Sequence, residues 1–347
     1  MNEQAFLARS AAASALLNLT APVARRGEGA VVFKLDHVGD LATAGPALRF
    51  LRARKPRERI TLVVGSWSAE LARAAFDVDA VVVYDSPVFD RSGARPPGGA
   101  FRRLREALGG RRFDRAYGLR DDPATVRFCL AGGARRRRDR GGVRLTDRLG
   151  RCLSGGRGPL HEIDTNLLVV GAKPSPELAA APYLATTDEA SRRVEALLPD
   201  PGGARKAVVV VHPGAADPRR CWPATRYREL VGAITGRIGA AVVVTGTAGE
   251  RELAEQAAGG APSATVLAGK LSAGETLALL SAADVYVGVD TGMMHLSVGV
   301  GTPVVALFGP ADPRRFGPRG PLDVVLTAGL DCSPCGHVEC PRDMACM

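Results

Sequence analysis

Short apolar runs bounded by glycine, proline and acidic residues recur along the chain, separated by stretches with apolar residues at three- and four-residue spacing. The run Ala30–Leu35 predicts a strand, Asp36–Asp40 a loop, and the segment around Pro46–Arg54 a helix. Leu48, Phe50 and Leu51 give that helix its apolar face, and Pro46 is tolerated because it falls in the first turn. Ile60–Gly65 and Ala80–Tyr84 read as strands with a helix, Ser68–Phe76, between them. Strand, helix, strand in this order argues for a parallel sheet. The stretch Asp85–Gly99 is rich in proline and glycine and reads as a loop. Arg111–Leu119 then gives a strand and Asp122–Ala131 a helix.

The second half repeats the alternation more clearly. Strands are expected at Ala207–Val211, Ala240–Thr245, Asp284–Val289 and Pro303–Phe308. Helices are expected from Ala224, after Gly249 through Ala258, over Ser272–Ala283 and over Gly292–Val300. Ser272 and Glu275 form the sequence signature of a capping box. The whole is a doubly wound α/β pattern. Gly171, Pro174, Pro176 and Pro182 interrupt the chain between the halves, so an N-terminal domain of residues 1–184 and a C-terminal domain of residues 185–347 are expected. Ahead of the first strand, an Ala- and Leu-rich stretch predicts a leading helix at about 4–24. Acidic Glu3 and the absence of an export cleavage pattern set it apart from a signal peptide.

Composition refines this picture in three places. The longest apolar runs are far too short to span a bilayer. Seven cysteines, several of them scattered, do not form a secreted disulfide framework, and a reducing cytoplasm fits best. The formal net charge is +10, with the densest run at Arg135–Arg138, Asp139 and Arg140. That run reads as a solvated face, with attraction to an anionic acceptor or membrane surface as the sharper alternative. No nucleic-acid partner is expected, because the basic residues are not interleaved with aromatics.

In open α/β sheets ligands bind where strands end and helices begin, and four such junctions are unusually furnished. In Asp36–Asp40, Gly39 permits a tight turn, and Asp40 is expected just ahead of the helix, where a carboxylate suits a general base. An ordinary helix-cap aspartate is the competing reading. This loop also lacks the Gly-x-Gly-x-x-Gly fingerprint of a dehydrogenase. The loop from His212 to Pro223 carries Arg219 and Arg220, guanidinium groups able to stabilise a phosphate leaving group, or incidental surface arginines. Gly246 and Glu250 follow the next strand, where a carboxylate can meet ribose hydroxyls or merely favour a helix start. Asp290, Thr291 and Gly292 open a helix whose free N–H groups make a pyrophosphate cradle, with His295 one turn further on.

These junctions together resemble the ADP-heptose-dependent heptosyltransferases of glycosyltransferase family 9. The resemblance is carried by Gly39-Asp40 with Pro46 to Leu48, and by His212 to Ala215 with Arg220 to Pro223. It continues through Asp290 to His295, Gly301 to Pro303 and Phe308 to Pro310. The tail cysteines Cys332, Cys335, Cys340 and Cys346 also follow the family's C-terminal pattern. The resemblance implies a GT-B architecture, two Rossmann-like domains facing a cleft, with acceptor on the first and nucleotide sugar on the second. It implies an inverting, metal-independent transfer of a heptose or similar sugar from an ADP-activated donor, with no cofactor. Asp40 would be the base; Gly39 beside it would belong to the substrate-binding residues; Arg220 stands where the family has a phosphate-binding lysine. Gly246 and Glu250 would meet the nucleoside, and Asp290, Thr291, Gly292 and His295 the diphosphate and sugar. Asp36-His37 departs from the family pattern, and the C-terminal crossover is expected to be curtailed. The implied partners are the donor and a glycan, lipid-linked or small-molecule acceptor, with peripheral membrane contact. The tail, whose Cys-x-x-Cys could hold a metal, is expected to be structural and metal-free. Rival readings are a transferase using another nucleotide sugar on a small natural product, and a non-catalytic nucleotide-sugar-binding protein.

Overall fold

The structure, a computed structural model, describes residues 27–85, 100–120, 129, 134, 136–139, 159–198, 207–335 and 339–347. The chain divides into two units, Met1–Ala180 and Ala181–Met347, so the division falls at 180/181 rather than 184/185. Tyr183 and Leu184 explain the earlier boundary, since both backbone N–H groups donate to the carbonyl of Gly299 in the second unit. The expected helix at 4–24, loop 85–99 and helix 122–131 lie essentially outside the described residues.

In the first unit, β1 (Ala30–Phe33), β2 (Ile60–Val64), β3 (Ala80–Val83), β4 (Arg115–Gly118) and β5 (Arg136–Asp139) form a parallel sheet in the order β3-β2-β1-β4-β5. β1 and β2 are buried along their whole length, which is why they read as unbroken apolar runs. Between the strands run α1 (Val38–Ala42), α2 (Gly45–Arg54), α3 (Ser66–Ala75) and α4 (Ala100–Ala107), and α5 (Glu162–Val170) follows β5. Two expectations are corrected here. Asp36–Asp40 is not all loop, because Asp40 lies inside the short helix α1, where Val38 to Ala42 close one turn after His37. The arginine run, for which no strand was expected, is in part an edge strand, since Arg136–Asp139 pair with β4.

The second unit opens with α6 (Asp188–Glu195). It then builds a parallel sheet from β6 (Val208–His212), β7 (Ala241–Val244), β8 (Ala264–Val266), β9 (Val285–Val289), β10 (Val304–Phe308) and β11 (Val324–Thr327). Their order is β11-β10-β9-β6-β7-β8. The crossovers include α7 (Ala224–Ala233), α8 (Arg251–Ala258), α9 (Ala273–Ala282) and α10 (Gly292–Val300). The capping box of α9 forms as read: Ser272 Oγ accepts from Glu275 N at 3.2 Å and Glu275 Oε2 from Ser272 N at 2.8 Å. α10 ends at Gly301, whose φ of 91° is the left-handed conformation a helix stop requires. In both sheets the strand order reverses beside the first strand of the unit. This is the Rossmann order, and its crevice lies past the carboxyl ends of the reversing pair. Those pairs are β1 with β4 and β6 with β9.

Candidate active site

At the second unit's reversal point, β6 ends on His212 and β9 runs into Asp290. His212 is buried, and its Nδ1 lies 3.3 Å from Thr245 Oγ1. Burial holds its imidazole below the usual range, against the opposing pull of the Glu250 carboxylate. Gly288 on β9 keeps the crevice floor bare, because a Cβ there would collide with the hydroxyl of Tyr286 and sit 3.1 Å from the His212 carbonyl.

The loop after β6 turns through a single 3₁₀ turn, Pro218–Arg220, started by Asp217, whose Oδ1 accepts from Arg219 N at 3.0 Å. This turn separates the two arginines. Arg219 folds back on Asp217 through Nε at 3.0 Å and Nη2 at 2.7 Å. Arg220 reaches the crevice, where its Nη1 donates to Asp290 Oδ2 at 2.8 Å. Asp290 is only 4% exposed and also faces His295, whose Nε2 lies 3.8 Å from Oδ1. A buried carboxylate so placed repels an anionic ligand. Its close side-chain partner here is Arg220, which it holds at the crevice. Thr291, the residue before α10, makes no side-chain cap bond, which leaves the first-turn N–H groups beginning at Gly292 open to a ligand.

Glu250 is committed more tightly than its sequence suggests. Its Oε2 accepts from Thr247 N at 2.7 Å and Thr247 Oγ1 at 2.9 Å, completing a capping box ahead of α8. The carboxylate lies over Gly214, where any Cβ would collide with it, and a Cβ on Gly246 would stand 3.2 Å from Glu250 Cβ. Glu250 therefore spans the mouths of β6 and β7 while capping its own helix. The tail closes over the loop after β10. Cys335 N donates to Pro310 O at 2.9 Å, and Cys346 and Met347 cover Gly309. The four tail cysteines are unbridged.

In the first unit, β1 and β4 diverge at Lys34–Asp36 and Leu119–Arg120. Lys34 is buried, and its Nζ reaches Asp36 Oδ2 and Leu119 O at 2.8 and 2.9 Å. Arg120 closes on the other oxygen of Asp36. Burial alone would raise the Asp36 carboxyl, but Lys34 and Arg120 outweigh it and hold Asp36 below the usual carboxylate range. Asp36 is thus buried between two cations, the setting of an anchor rather than of a base. Asp40 differs. It is half-exposed on α1, and its carboxylate has no hydrogen-bond or ion-pair partner among the described residues. Gly39 beside it is buried. The turn after Asp40 is fixed from below, since Thr43 Oγ1 donates to Asp40 O at 2.7 Å and the buried Asn166 of α5 donates to Thr43 O at 3.1 Å. Sequence reasoning did not single out Asn166 or the Lys34–Asp36–Arg120 cluster, because both join residues more than 80 positions apart.

Among the described residues, no helix is long and apolar enough to cross a membrane. The sequence pattern of glycosyltransferase family 9 (heptosyltransferase) matches residues 171–345, about half of the chain. Lipopolysaccharide heptosyltransferase 1 of Pseudomonas aeruginosa is 35% identical over 119 residues, 34% of this chain and 33% of that protein. The chain therefore matches only about a third of that relative's length. A family 9 glycosyl transferase from Veillonella parvula superposes with a TM-score of 0.67 at 22% identity, covering 86% of this chain and 85% of the other. ADP-heptose lipopolysaccharide heptosyltransferase II from E. coli superposes with a TM-score of 0.62 at 22% identity, over 86% and 90% of the two chains. At that identity the superpositions speak to fold, and with two Rossmann-order sheets they establish the expected GT-B class. With Arg220, Asp290, Gly292 and His295 lying inside the matched region, the chain belongs to glycosyltransferase family 9 (heptosyltransferase).

Proposed function

We propose that the chain is an inverting glycosyltransferase that moves a heptose, or a similar sugar, from an ADP-activated donor to an acceptor hydroxyl, without a metal ion or cofactor. The observation that carries the reading is the pairing of Arg220 with an uncapped helix N-terminus at Gly292, both beside Asp290. A nucleoside diphosphate is the ligand such a site suits. Its charge meets one guanidinium and the positive end of a helix, an arrangement that takes the place of a divalent cation. Glu250, across the mouths of β6 and β7, is the acceptor for the ribose hydroxyls, and His295 faces the donor sugar.

In this division of labour the first unit supplies the base. Asp40 takes the proton from the acceptor hydroxyl as it attacks the anomeric carbon. The bond from that carbon to the diphosphate oxygen breaks, the configuration inverts, and ADP leaves with its charge stabilised by Arg220. The acceptor is a glycan, lipid-linked or small molecule, and a cytoplasmic site of action accords with the unbridged cysteines. The relatives are named for lipopolysaccharide and ADP-heptose, which supports this donor and a lipid-linked glycan as acceptor. Calorimetry with ADP, UDP and GDP tests the donor: ADP should bind most tightly. Equal or reversed preference overturns the ADP assignment. Transfer should also survive EDTA, and loss restored by magnesium or manganese overturns the metal-free mechanism.

A further inference from the structure

A cavity of about 180 Å³ lies at the opposite end of the first sheet from Asp40. It is lined by Leu51 and Arg54 at the end of α2, Lys55 and Glu58 of the turn before β2, Arg115 and Tyr117 of β4, and Val170 of α5. Leu51, Tyr117 and Val170 are buried and form an apolar floor. The wall above it is cationic. Arg115, which opens β4, pairs through Nη2 with Glu58, the one carboxylate of the lining. Its Nε is buried yet has no acceptor among the described residues. Arg54 lies 6.0 Å over the Phe50 ring, and neither it nor Lys55 has a side-chain ion-pair partner among the described residues. Arg57, exposed in the same turn, adds a further positive charge at the rim.

We infer that this cavity is a second ligand site, one that binds a phosphate group carried on a less polar stem. Three cations face one carboxylate, which leaves a net positive pocket. A buried guanidinium N–H without an acceptor is costly, and an anionic oxygen supplies the missing bond with the strength of a charge-assisted pair. The rigid fork of Arg115 suits a tetrahedral oxyanion, and the exposed Lys55 and Arg54 can close on its remaining oxygens. The apolar floor takes what the phosphate is attached to. The site rests on no part of the donor reading. It stands on the first unit, at the edge where strands begin, and uses none of the residues assigned to transfer.

A phosphate group reaches such a site either on a free solute or on a lipid headgroup, and the experiment separates the two. Binding of inorganic phosphate by the whole chain is followed by calorimetry. Flotation with vesicles of phosphatidylcholine, with and without phosphatidylglycerol, is measured alongside. The test variant is Arg54→Ala with Lys55→Ala, which changes two exposed side chains and spares the Arg115–Glu58 pair. All proteins compared carry Arg220→Ala, which weakens the proposed diphosphate site of the second unit, and Arg226→Ala, an exposed arginine of α7, is the control. The expected result is that the double variant weakens phosphate binding, or binding to the phosphatidylglycerol vesicles, by about tenfold or more, while Arg226→Ala leaves it unchanged. A loss in the solute arm assigns a free phosphorylated ligand, and a loss confined to the vesicle arm assigns a headgroup. If the double variant binds both probes like its background, or if Arg226→Ala weakens binding equally, the proposal is overturned.

Discussion

Arg220 donates to Asp290 Oδ2 at 2.8 Å, and the two residues play unequal parts: the carboxylate is buried while the arginine side chain is partly exposed. The buried anion fixes the half-exposed cation, which keeps N–H groups facing the crevice. Arg220→Ala should therefore raise the dissociation constant for ADP roughly 10- to 100-fold, the scale of one charge-assisted bond. Turnover should fall as well, because the charge is felt in ground state and transition state alike. Arg220→Lys should recover part of both, keeping the charge and losing the fork. Asp290→Asn should weaken ADP in the same direction, although Asp290 itself repels the ligand. Calorimetry and steady-state kinetics on the three variants check the ordering. Tighter ADP binding in Asp290→Asn would show that Asp290 does not anchor Arg220.

Asp40 carries the division between a transferase and a protein that only binds the donor. Its carboxylate has no partner among the described residues, whereas Asp36 four positions earlier is held by Lys34 and Arg120. Asp40→Asn keeps the size of the side chain and removes proton acceptance. Turnover should drop by roughly 10²–10⁴-fold with ADP affinity unchanged. Near-normal turnover in this variant would make Asp40 a helix residue only and leave His37, also in this loop, to be tested as the base.

What was legible in the sequence depended on how local its cause was. The helix Gly292–Val300 and the Ser272–Glu275 capping box were readable, because a glycine stop and a serine–glutamate spacing act within a few residues. The helix around Asp40 was not, since five residues are too few for a helical period to show. Strand Arg136–Asp139 was read as a charge run, because edge pairing with β4 needs no apolar alternation. Strand Val324–Thr327 has all four residues exposed and offers no burial pattern to detect. At the site, the residue types and the junctions were visible. The split between Arg219, closed on Asp217, and Arg220, open to the crevice, was not: a 3₁₀ turn decides it, and adjacent identical residues cannot.

Asp36 makes a prediction about acid stability. Its folded-state value is depressed by Lys34 and Arg120 against the opposing effect of burial. A depressed carboxylate contributes stability above its unfolded value, about 3.9, and that contribution is lost as the pH falls towards the folded value. The first unit should therefore weaken below about pH 4. Asp36→Asn should lower stability at neutral pH and flatten this acid limb, because the variant has no proton left to bind there. Chemical denaturation across pH 3–7 on parent and variant reads both effects. An unchanged acid limb in Asp36→Asn would place the acid-sensitive group elsewhere.

Glu250 is asked to cap a helix and to meet the nucleoside, and two substitutions separate the tasks. Its Oε2 holds Thr247 through both N–H and hydroxyl, and its other oxygen lies against Gly214. A glutamine oxygen can still accept from Thr247 N, so Glu250→Gln should keep stability within about 0.5 kcal/mol of the parent. The same change turns the oxygen open to ribose hydroxyls into an amide donor and should raise the dissociation constant for ADP by roughly tenfold. Glu250→Ala removes the cap too, and should cost about 1 kcal/mol of stability besides weakening ADP. Gly214→Ala attacks the same arrangement from the other side: a methyl group there displaces the carboxylate and should weaken ADP without removing the charge. Denaturation midpoints and ADP calorimetry on the three variants give a two-way pattern. If Glu250→Gln binds ADP like the parent while Glu250→Ala is merely less stable, Glu250 is a helix cap alone, and the nucleoside must be read by other groups at the mouths of β6 and β7.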